Sequence, residues 1–526
     1  MGILNIIKKQ NKIALILLVL IILLAAYLRL YRISDYMTFL GDEGRDVLVA
    51  RGVLEGHFTL LGPRSSAGDF FMGPAYYYMI TPFLWLFNFD PVGPAIMVGL
   101  LSVLTTWLIY FVGKRWFNEK AGFLAAALYA VSPVVINYSH SSWNPDVLPF
   151  FALLTIYFLY KSVNVKSSWK YLIVVGFLLG IDLQLHYLSV LLGVVTACYL
   201  IWNSWYKDRK IKYSLIVKSY SQVLLGFIVG LSPFLLFELR HNFANTRSIF
   251  SFIFGDTLQK TYSSNMSYWG IVSDAFFRIF ARLVFYFPSP DLASLFDKQI
   301  LHIFAWTAML ITFAAIYFIF RMKNKYVLVL ISLWLFLSLA LLGLYKKSIY
   351  DYLFTFIFPL PFLIIGNFLS NLISFGKSKK KIVLTVVGVL IFISIFLYNL
   401  KGIPFQFVPN RQKDQARIIS EAVIKMSDNK PYNFALISKG NSDHAYRYYL
   451  DVLGHSPIQI ENPALDPQKK TITNQLLVVC EDPNCQPLGN SLFDVATFGR
   501  ASIAAEQDVI VVKIFKLVHY EEGKTK

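Results

Sequence analysis

The sequence predicts a polytopic α-helical membrane protein with a small α/β domain at its C-terminal end. Three observations predict it. The 526 residues are 56% hydrophobic and only 15% charged, against about 25% charged in soluble domains. Apolar runs approach the roughly 20 residues that a spanning helix needs, and they recur along the first 400 positions. Beyond residue 402 the composition shifts toward Pro, Asn, Asp, Gln and Lys.

The first span falls at 13–30, after Lys8, Lys9 and Lys12. It runs into Arg29-Leu30-Tyr31-Arg32 with no small-residue cleavage site, so it reads as an uncleaved anchor. Further spans fall at 93–112, 121–138, 147–161, 170–186, 188–203, 216–237, 300–320, 326–345, 352–373 and 382–400, about eleven in all by the length criterion. Only Gln184-Leu185-His186-Tyr187 divides two of them.

Charge supplies the orientation. The N-terminus and the segments 113–120, 161–170, 203–218, 321–325 and 376–381 hold 21 Lys and Arg against two acids, Glu119 and Asp208. Basic loops stay cytoplasmic, which places the N-terminus inside a multi-pass cell membrane protein. The short loops on the other side carry only Lys346 and Lys347. The net charge of +18 is therefore a topology signal, and no nucleic-acid partner is called for. Residues 1–402 form the membrane domain, with a first external loop at 31–92. Residues 403–526 form an extracytoplasmic α/β domain with β-like runs at 434–438, 476–480 and 509–516 and a helix at 412–426. Three cysteines exclude a disulfide framework or a structural zinc array. Whether Cys480 and Cys485 pair is left open.

Ionisable residues gather on the external side, where they are functional candidates by default. The first loop contains Gly41-Asp42-Glu43-Gly44-Arg45-Asp46 ahead of apolar residues at helical spacing, a short amphipathic helix lying on the membrane. Two adjacent acids suit a helix N-terminus. They are read either as a simple cap or as reactive carboxylates, and with Arg45 and Asp46 they carry more charge than a cap needs. A second amphipathic, aromatic stretch runs from Met72 to Asn88, at the membrane interface. Asn144 and Asp146 open the fourth span beside Pro145, as caps or as site residues. His186 stands at an outer helix end beside Gln184 and Tyr187. Arg240 and His241 follow the seventh span; Lys346, Lys347 and Tyr352 lie near the ninth and tenth. These last groups read equally as interfacial anchors. A carboxylate beside arginines at the outer leaflet suits deprotonation of a hydroxyl and stabilisation of a departing phosphate. Walker A, HExxH and GxSxG motifs are absent.

The order of anchor, long loop with Asp-Glu, aromatic helix and basic turn resembles the membrane-embedded GT-C glycosyltransferases. Most similar is the group of protein O-mannosyltransferases, aminoarabinose transferases and Rgt-like bacterial enzymes. The resemblance is carried by GDEGRDVLVARGVLEG at 41–56, by 73–88, by GKRWFNEKAGFLAAALYA at 113–130, by the 139–146 turn and, loosely, by 350–366. It implies an inverting transfer of a monosaccharide from a polyprenyl-phosphate donor to an extracytoplasmic glycan, lipid or protein acceptor. Asp42 matches the catalytic aspartate of the first loop and Glu43 its usual neighbour; Asp146 falls where a second functional acid is found. Asp146, Asn144 and His186 then become candidates for acceptor or metal, and Arg45, Arg64, Arg240, His241, Lys346, Lys347 and Tyr352 for the donor phosphate. A divalent cation, Mg or Mn, is compatible but not required. Three features depart from the pattern. Met72-Gly73-Pro74 replaces an acidic-Lys-Pro sequence, Asp46 stands where many relatives carry an aromatic residue, and no β-trefoil insertion is recognisable. The alternatives are a lipid-linked oligosaccharide ligase or polymerase, a lipid or sugar flippase, and a receptor whose C-terminal domain binds a ligand.

Overall fold

The computed structural model describes residues 12–65, 68–164, 168–254, 266–288, 297–345, 348–373, 378–482 and 484–520. Each apolar span read from the sequence is helical. Among the described residues eight helices are long and apolar enough to cross a membrane, or up to ten if two bent pairs each make one crossing. The further span read at 170–186 is the 18-residue helix Ser168–Leu185. Gly176 and Gly180 there meet Gly226 and Gly230 of Tyr213–Gly230 so closely that a Cβ on Gly176 would stand 1.9 Å from the Val223 carbonyl oxygen. Two facing Gly-x-x-x-Gly stripes thus let the backbones touch, a packing suited to helices in lipid.

The two bent pairs are Glu119–Val131 with Pro133–Ser139, at 62°, and Asp351–Ile357 with Pro359–Leu372, at 61°. Proline opens the second half of each. Its missing N–H and its ring interrupt a continuous ladder but are tolerated at a helix start. Between the spans read at 216–237 and 300–320, the described residues include the helices Ala244–Phe254 and Tyr268–Phe277, the latter continued by a wider π-type turn at Arg278–Arg282.

The first loop folds as helix Gly41–Leu54, an antiparallel bridge between Arg64 and Phe71, and helix Ala75–Leu86. The aromatic helix is not an interfacial skin. Tyr76, Tyr77, Ile80 and Leu84 are buried, because the Gly41–Leu54 helix covers it on one side and Val92–Trp116 on the other.

In the C-terminal part the helix Gln412–Met426 forms as expected. Four strands follow, β1 (Asn433–Ile437), β2 (Gln475–Cys480), β3 (Ala501–Val509) and β4 (Val512–His519), in the order β1-β2-β4-β3. β1 and β2 are parallel and the other pairs antiparallel. The run read at 509–516 is therefore not one strand: a two-residue turn at Ile510 and Val511 splits it. Alternation of side chains gives the sheet two apolar faces. Leu436, Leu477 and Val479 continue the core of the membrane bundle. Leu476, Val478 and Phe515 form a second core with Phe498. Cys480 and Cys485 are disulfide-bonded.

This domain sits on the first loop. Asn441 Oδ1 accepts the Gly41 N–H at 3.0 Å, and the Phe89 carbonyl accepts the Tyr448 hydroxyl at 2.5 Å. Arg51 pairs with Asp451 at 2.8 Å and Lys413 with Asp90 at 3.2 Å. Gly44 permits the contact with helix His444–Val452: a Cβ there would lie 2.3 Å from the Ala445 nitrogen. The Gly41–Leu54 helix is thus clamped beneath a protein domain rather than lying free on the bilayer.

Candidate active site

Helix Gly41–Leu54 starts with its acids in three different roles. Glu43 is buried. Its Oε2 accepts the Leu40 N–H at 3.1 Å, the return arm of a capping box, and its Oε1 accepts the Ser141 hydroxyl at 2.9 Å. Burial raises its pKa despite these bonds. Asp46 is also buried. One oxygen accepts both Arg45 Nε and Nη2, at 2.9 and 2.7 Å, while its Oδ2 has no partner among the described residues. Burial pushes it up to about 7 against the pull of Arg45. Asp42 alone is open, with its side chain 53% exposed, and it meets Arg45 Nη1 at 2.7 Å. Burial opposes the Arg45 charge, but Asp46, Tyr77 and Asp42 outweigh it and hold its pKa above the ordinary value.

Asp42 faces two cavities. The larger, of about 850 Å³, lies between the helix start, the 137–146 turn and the 438–442 loop of the C-terminal domain. The smaller, of about 230 Å³, is walled by Arg45, Arg64, Asn144, His186, Tyr187 and Tyr352 among others. Among the described residues only Asp42 and Trp143 line both. Aromatic contacts build the partition: Trp143 meets Tyr352 edge-on at 4.6 Å, and His186 stacks on Tyr187 at 4.6 Å. Asn144 anchors the turn by donating to the Leu185 carbonyl at 2.5 Å. Next to it, Asp146 is buried and lines the larger cavity, and neither of its oxygens has a partner among the described residues. It does not cap its helix.

Of the residues singled out from the sequence, Asp42, Glu43 and Asp146 therefore reach the larger cavity. Asp42, Arg45, Arg64, Asn144, His186 and Tyr352 reach the smaller. Arg64 is also paired with Asp69 at 2.8 Å. Arg240 and His241 line neither. His241 stacks on Phe237 at 4.0 Å and its Nδ1 lies 2.9 Å from the Phe237 carbonyl. Their neighbour Glu238 accepts the backbone N–H groups of Asn245 and Thr246 at 3.2 and 2.7 Å. Asn245 in turn grips the Phe71 backbone, so this corner braces the Arg64–Phe71 bridge from behind. Lys346 and Lys347 lie outside the described residues.

Sequence reading missed the 438–442 loop of the larger cavity. It also passed over a pair of arginines that line neither cavity, Arg278 and Arg282, both held by Asp351 at 2.8 Å just before Tyr352. Their i, i+4 spacing on one helix face was the available signal. Among the described residues no three of His, Cys, Asp and Glu gather to hold a metal ion.

Residues 72–237 match the family described as dolichyl-phosphate-mannose-protein mannosyltransferase. The whole chain superposes on ArnT from Cupriavidus metallidurans bound to undecaprenyl phosphate, with a TM-score of 0.61 at 14% identity, covering 95% of this chain and 97% of that one. This is the GT-C glycosyltransferase fold. Apo ArnT gives a TM-score of 0.58 at 12% identity over 95% and 97% of the two chains. The oligosaccharyltransferase AglB from Archaeoglobus fulgidus, in complex with an inhibitory peptide and a dolichol-phosphate, gives 0.53 at 12% identity, over 88% of this chain and 69% of AglB. At such identities it is the GT-C architecture that is shared. A search of curated proteins returned no significant match.

Proposed function

We propose that the protein is an inverting glycosyltransferase that moves a monosaccharide from a polyprenyl-phosphate donor to an acceptor hydroxyl on the extracytoplasmic side. The observation that carries this is the position of Asp42 on the wall shared by a cationic cavity and a cation-free one. In the reaction Asp42 takes the proton of the acceptor hydroxyl, whose oxygen attacks the anomeric carbon from the face opposite the phosphate. The anomeric C–O bond breaks, its electron pair leaves with the phosphate, and the configuration inverts. Arg45 and Arg64 offset the charge that develops on the departing polyprenyl phosphate, while Tyr352 and His186 shape the donor side. The lipid phosphates named for ArnT and AglB support the donor class.

The orientation follows from charge. Lys120 reaches the Ile373 carbonyl and Lys207 the Val163 carbonyl, so basic turns meet in pairs, and Asp42 follows the C-terminal end of the first span, whose other end carries Lys12. Positive loops stay inside, which puts the site outside.

The test is sugar transfer or release from a panel of polyprenyl-phosphate monosaccharides by the purified protein, with Asp42→Asn alongside. The wild type consumes a monophosphate donor, and Asp42→Asn falls by about 100-fold or more, the usual share of a general base. Full activity in the variant removes the mechanism. Consumption of a lipid pyrophosphate oligosaccharide alone makes the protein a ligase, and lipid movement without bond cleavage makes it a flippase.

A further inference from the structure

The larger cavity differs from the smaller in what lines it. Among its described lining residues there is no Lys or Arg. Lys439 sits in the 438–442 loop but is turned out to Asp482, at 3.0 Å, with its side chain 83% exposed. The carboxylates Asp42, Glu43 and Asp146 face the space instead. Asp146 is the informative one. A buried carboxylate without a partner is costly, and here it is aimed into a cavity of about 850 Å³. Carboxylates accept hydrogen bonds and give none when ionised. A neutral hydroxyl, which can donate to a carboxylate and accept from a carboxylic acid, completes Asp146 in either protonation state, and the open carboxylate of Asp42 disfavours an anionic partner. The remaining polar lining is made of neutral hydroxyl and amide groups, among them Ser438, Asn441, Ser442 and Asn137, and Trp143 and Tyr138 offer aromatic faces. Hydroxyl donors joined to apolar C–H faces belong together on a pyranose ring.

We infer that this cavity is the acceptor subsite for the uncharged, polyhydroxylated end of a glycan, and that the 438–442 loop of the C-terminal domain sets acceptor choice. Calling the occupant an acceptor rests on the transferase reading. The loop is held for such a role. Glu481 accepts from Asn441 Nδ2 at 2.8 Å and from the Tyr446 hydroxyl at 2.7 Å, and Asn441 Oδ1 receives the Gly41 N–H next to Asp42. Acceptor recognition and the position of the base are therefore fixed by one chain of bonds that crosses from the sheet domain to the first loop.

The experiment is binding, without donor, to the full-length protein in nanodiscs, read by saturation-transfer NMR. The probes are methyl glycosides and trisaccharides of glucose, mannose and galactose, the corresponding 6-phosphates, and a Ser/Thr-rich peptide. At least one neutral probe binds, at least tenfold tighter than its 6-phosphate. A Cβ on Gly440 meets nothing within 4 Å, so Gly440→Lys adds a cation to the wall without a clash and shrinks that preference by tenfold or more. An unchanged melting temperature shows the variant is folded, and Ser438→Lys repeats the test from a second position. Phosphates or peptide binding as tightly as the glycosides, no glycoside binding at all, or indifference to both lysines overturns the inference. Because donor is absent, glycoside binding by a protein that consumes no polyprenyl-phosphate sugar would sink the transferase reading alone. Donor turnover without glycoside binding would sink this one alone.

Discussion

Two breaks in the membrane bundle have the same geometry and are held in opposite ways. Each is a helix pair bent by about 60°, and each carries side chains to the site: Asn137 and Tyr138 from the first, Tyr352 from the second. At the first, breaking the helix after Val131 strips its last carbonyls of partners. Arg29, fully buried, fills that role. It donates to the Ala130 carbonyl at 2.9 Å, the Tyr129 carbonyl at 3.1 Å and Ser102 Oγ at 2.7 Å. A cation is favoured at a helix C-terminus, and among the described residues no ion pair engages Arg29. At the second break the chain is held by charge on charge. Asp351 is gripped by Arg278 and Arg282, Arg278 also reaches Asp274 at 2.7 Å, and Arg282 Nε is left without a partner among the described residues. The first device has backbone carbonyls as partners and no counter-charge to exchange. The second rests on one carboxylate shared by two guanidinium groups just before Tyr352, so the loss of a single charge redistributes the rest. The difference separates a fixed wall from an adjustable one.

The sharpest way to break this comparison is Arg29→Leu. Removing the charge relieves its desolvation, which favours the variant. It also leaves three acceptors unpaired where no water can replace the guanidinium, and in lipid each such group costs several kcal/mol. The second effect wins, and thermal melting in detergent falls by the equivalent of about 3 kcal/mol. Arg29→Lys, which keeps the charge but not the fork, falls between. A neutral leucine would mean the bend needs no cap. At the other break, Asp351→Asn leaves two arginines short of a carboxylate in a setting that is only partly buried, with side-chain exposures of 15–18%. Stability drops by less, about 2 kcal/mol. Transfer activity drops further than this explains, with a raised KM for the lipid donor, because Tyr352 follows directly in the chain. Equal losses in melting and activity would make the second break as passive as the first.

What the sequence disclosed about these regions follows a physical rule. Both bends fall inside stretches read as single spans, 121–138 and 352–373; Pro133, Pro359 and Pro361 were the local signals for them and were passed over. The first-loop acids stood out because, with Arg45 and Asp46, they carry more charge than a cap needs, although Glu43 does serve as the cap. Arg29 read as a flank of the first span, for its partners lie about 100 positions away and no periodicity announces them. Arg278 and Arg282 were passed over because their aromatic surroundings belong to a helix between spans, not to a span. The 438–442 loop meets Gly41 across 400 residues, a contact that folding alone creates. Arg240 and His241, read either as donor-phosphate candidates or as interfacial anchors, line neither cavity, and the adjacent Glu238 and Asn245 take a bracing role that no spacing announces.

A third arginine refines the contrast and carries the smallest expected effect. Arg45 lies between the two extremes, fixed to buried Asp46 on one side and to open Asp42 on the other. Burial raises the Asp46 pKa from 3.8 to about 7. Between those values the folded state binds a proton that the unfolded chain does not, so this group adds stability at acidic pH and loses it as pH rises through about 7. Melting temperature measured from pH 5 to pH 8 should therefore decline from pH 5 to about pH 7 and then level off. Asp46→Asn, which stays neutral throughout, should flatten that decline. The same substitution removes one of the two carboxylates on Arg45 and leaves its guanidinium freer to follow the donor phosphate. A steep decline retained in Asp46→Asn would place the titrating group elsewhere and make Arg45, like Arg29, part of a fixed wall.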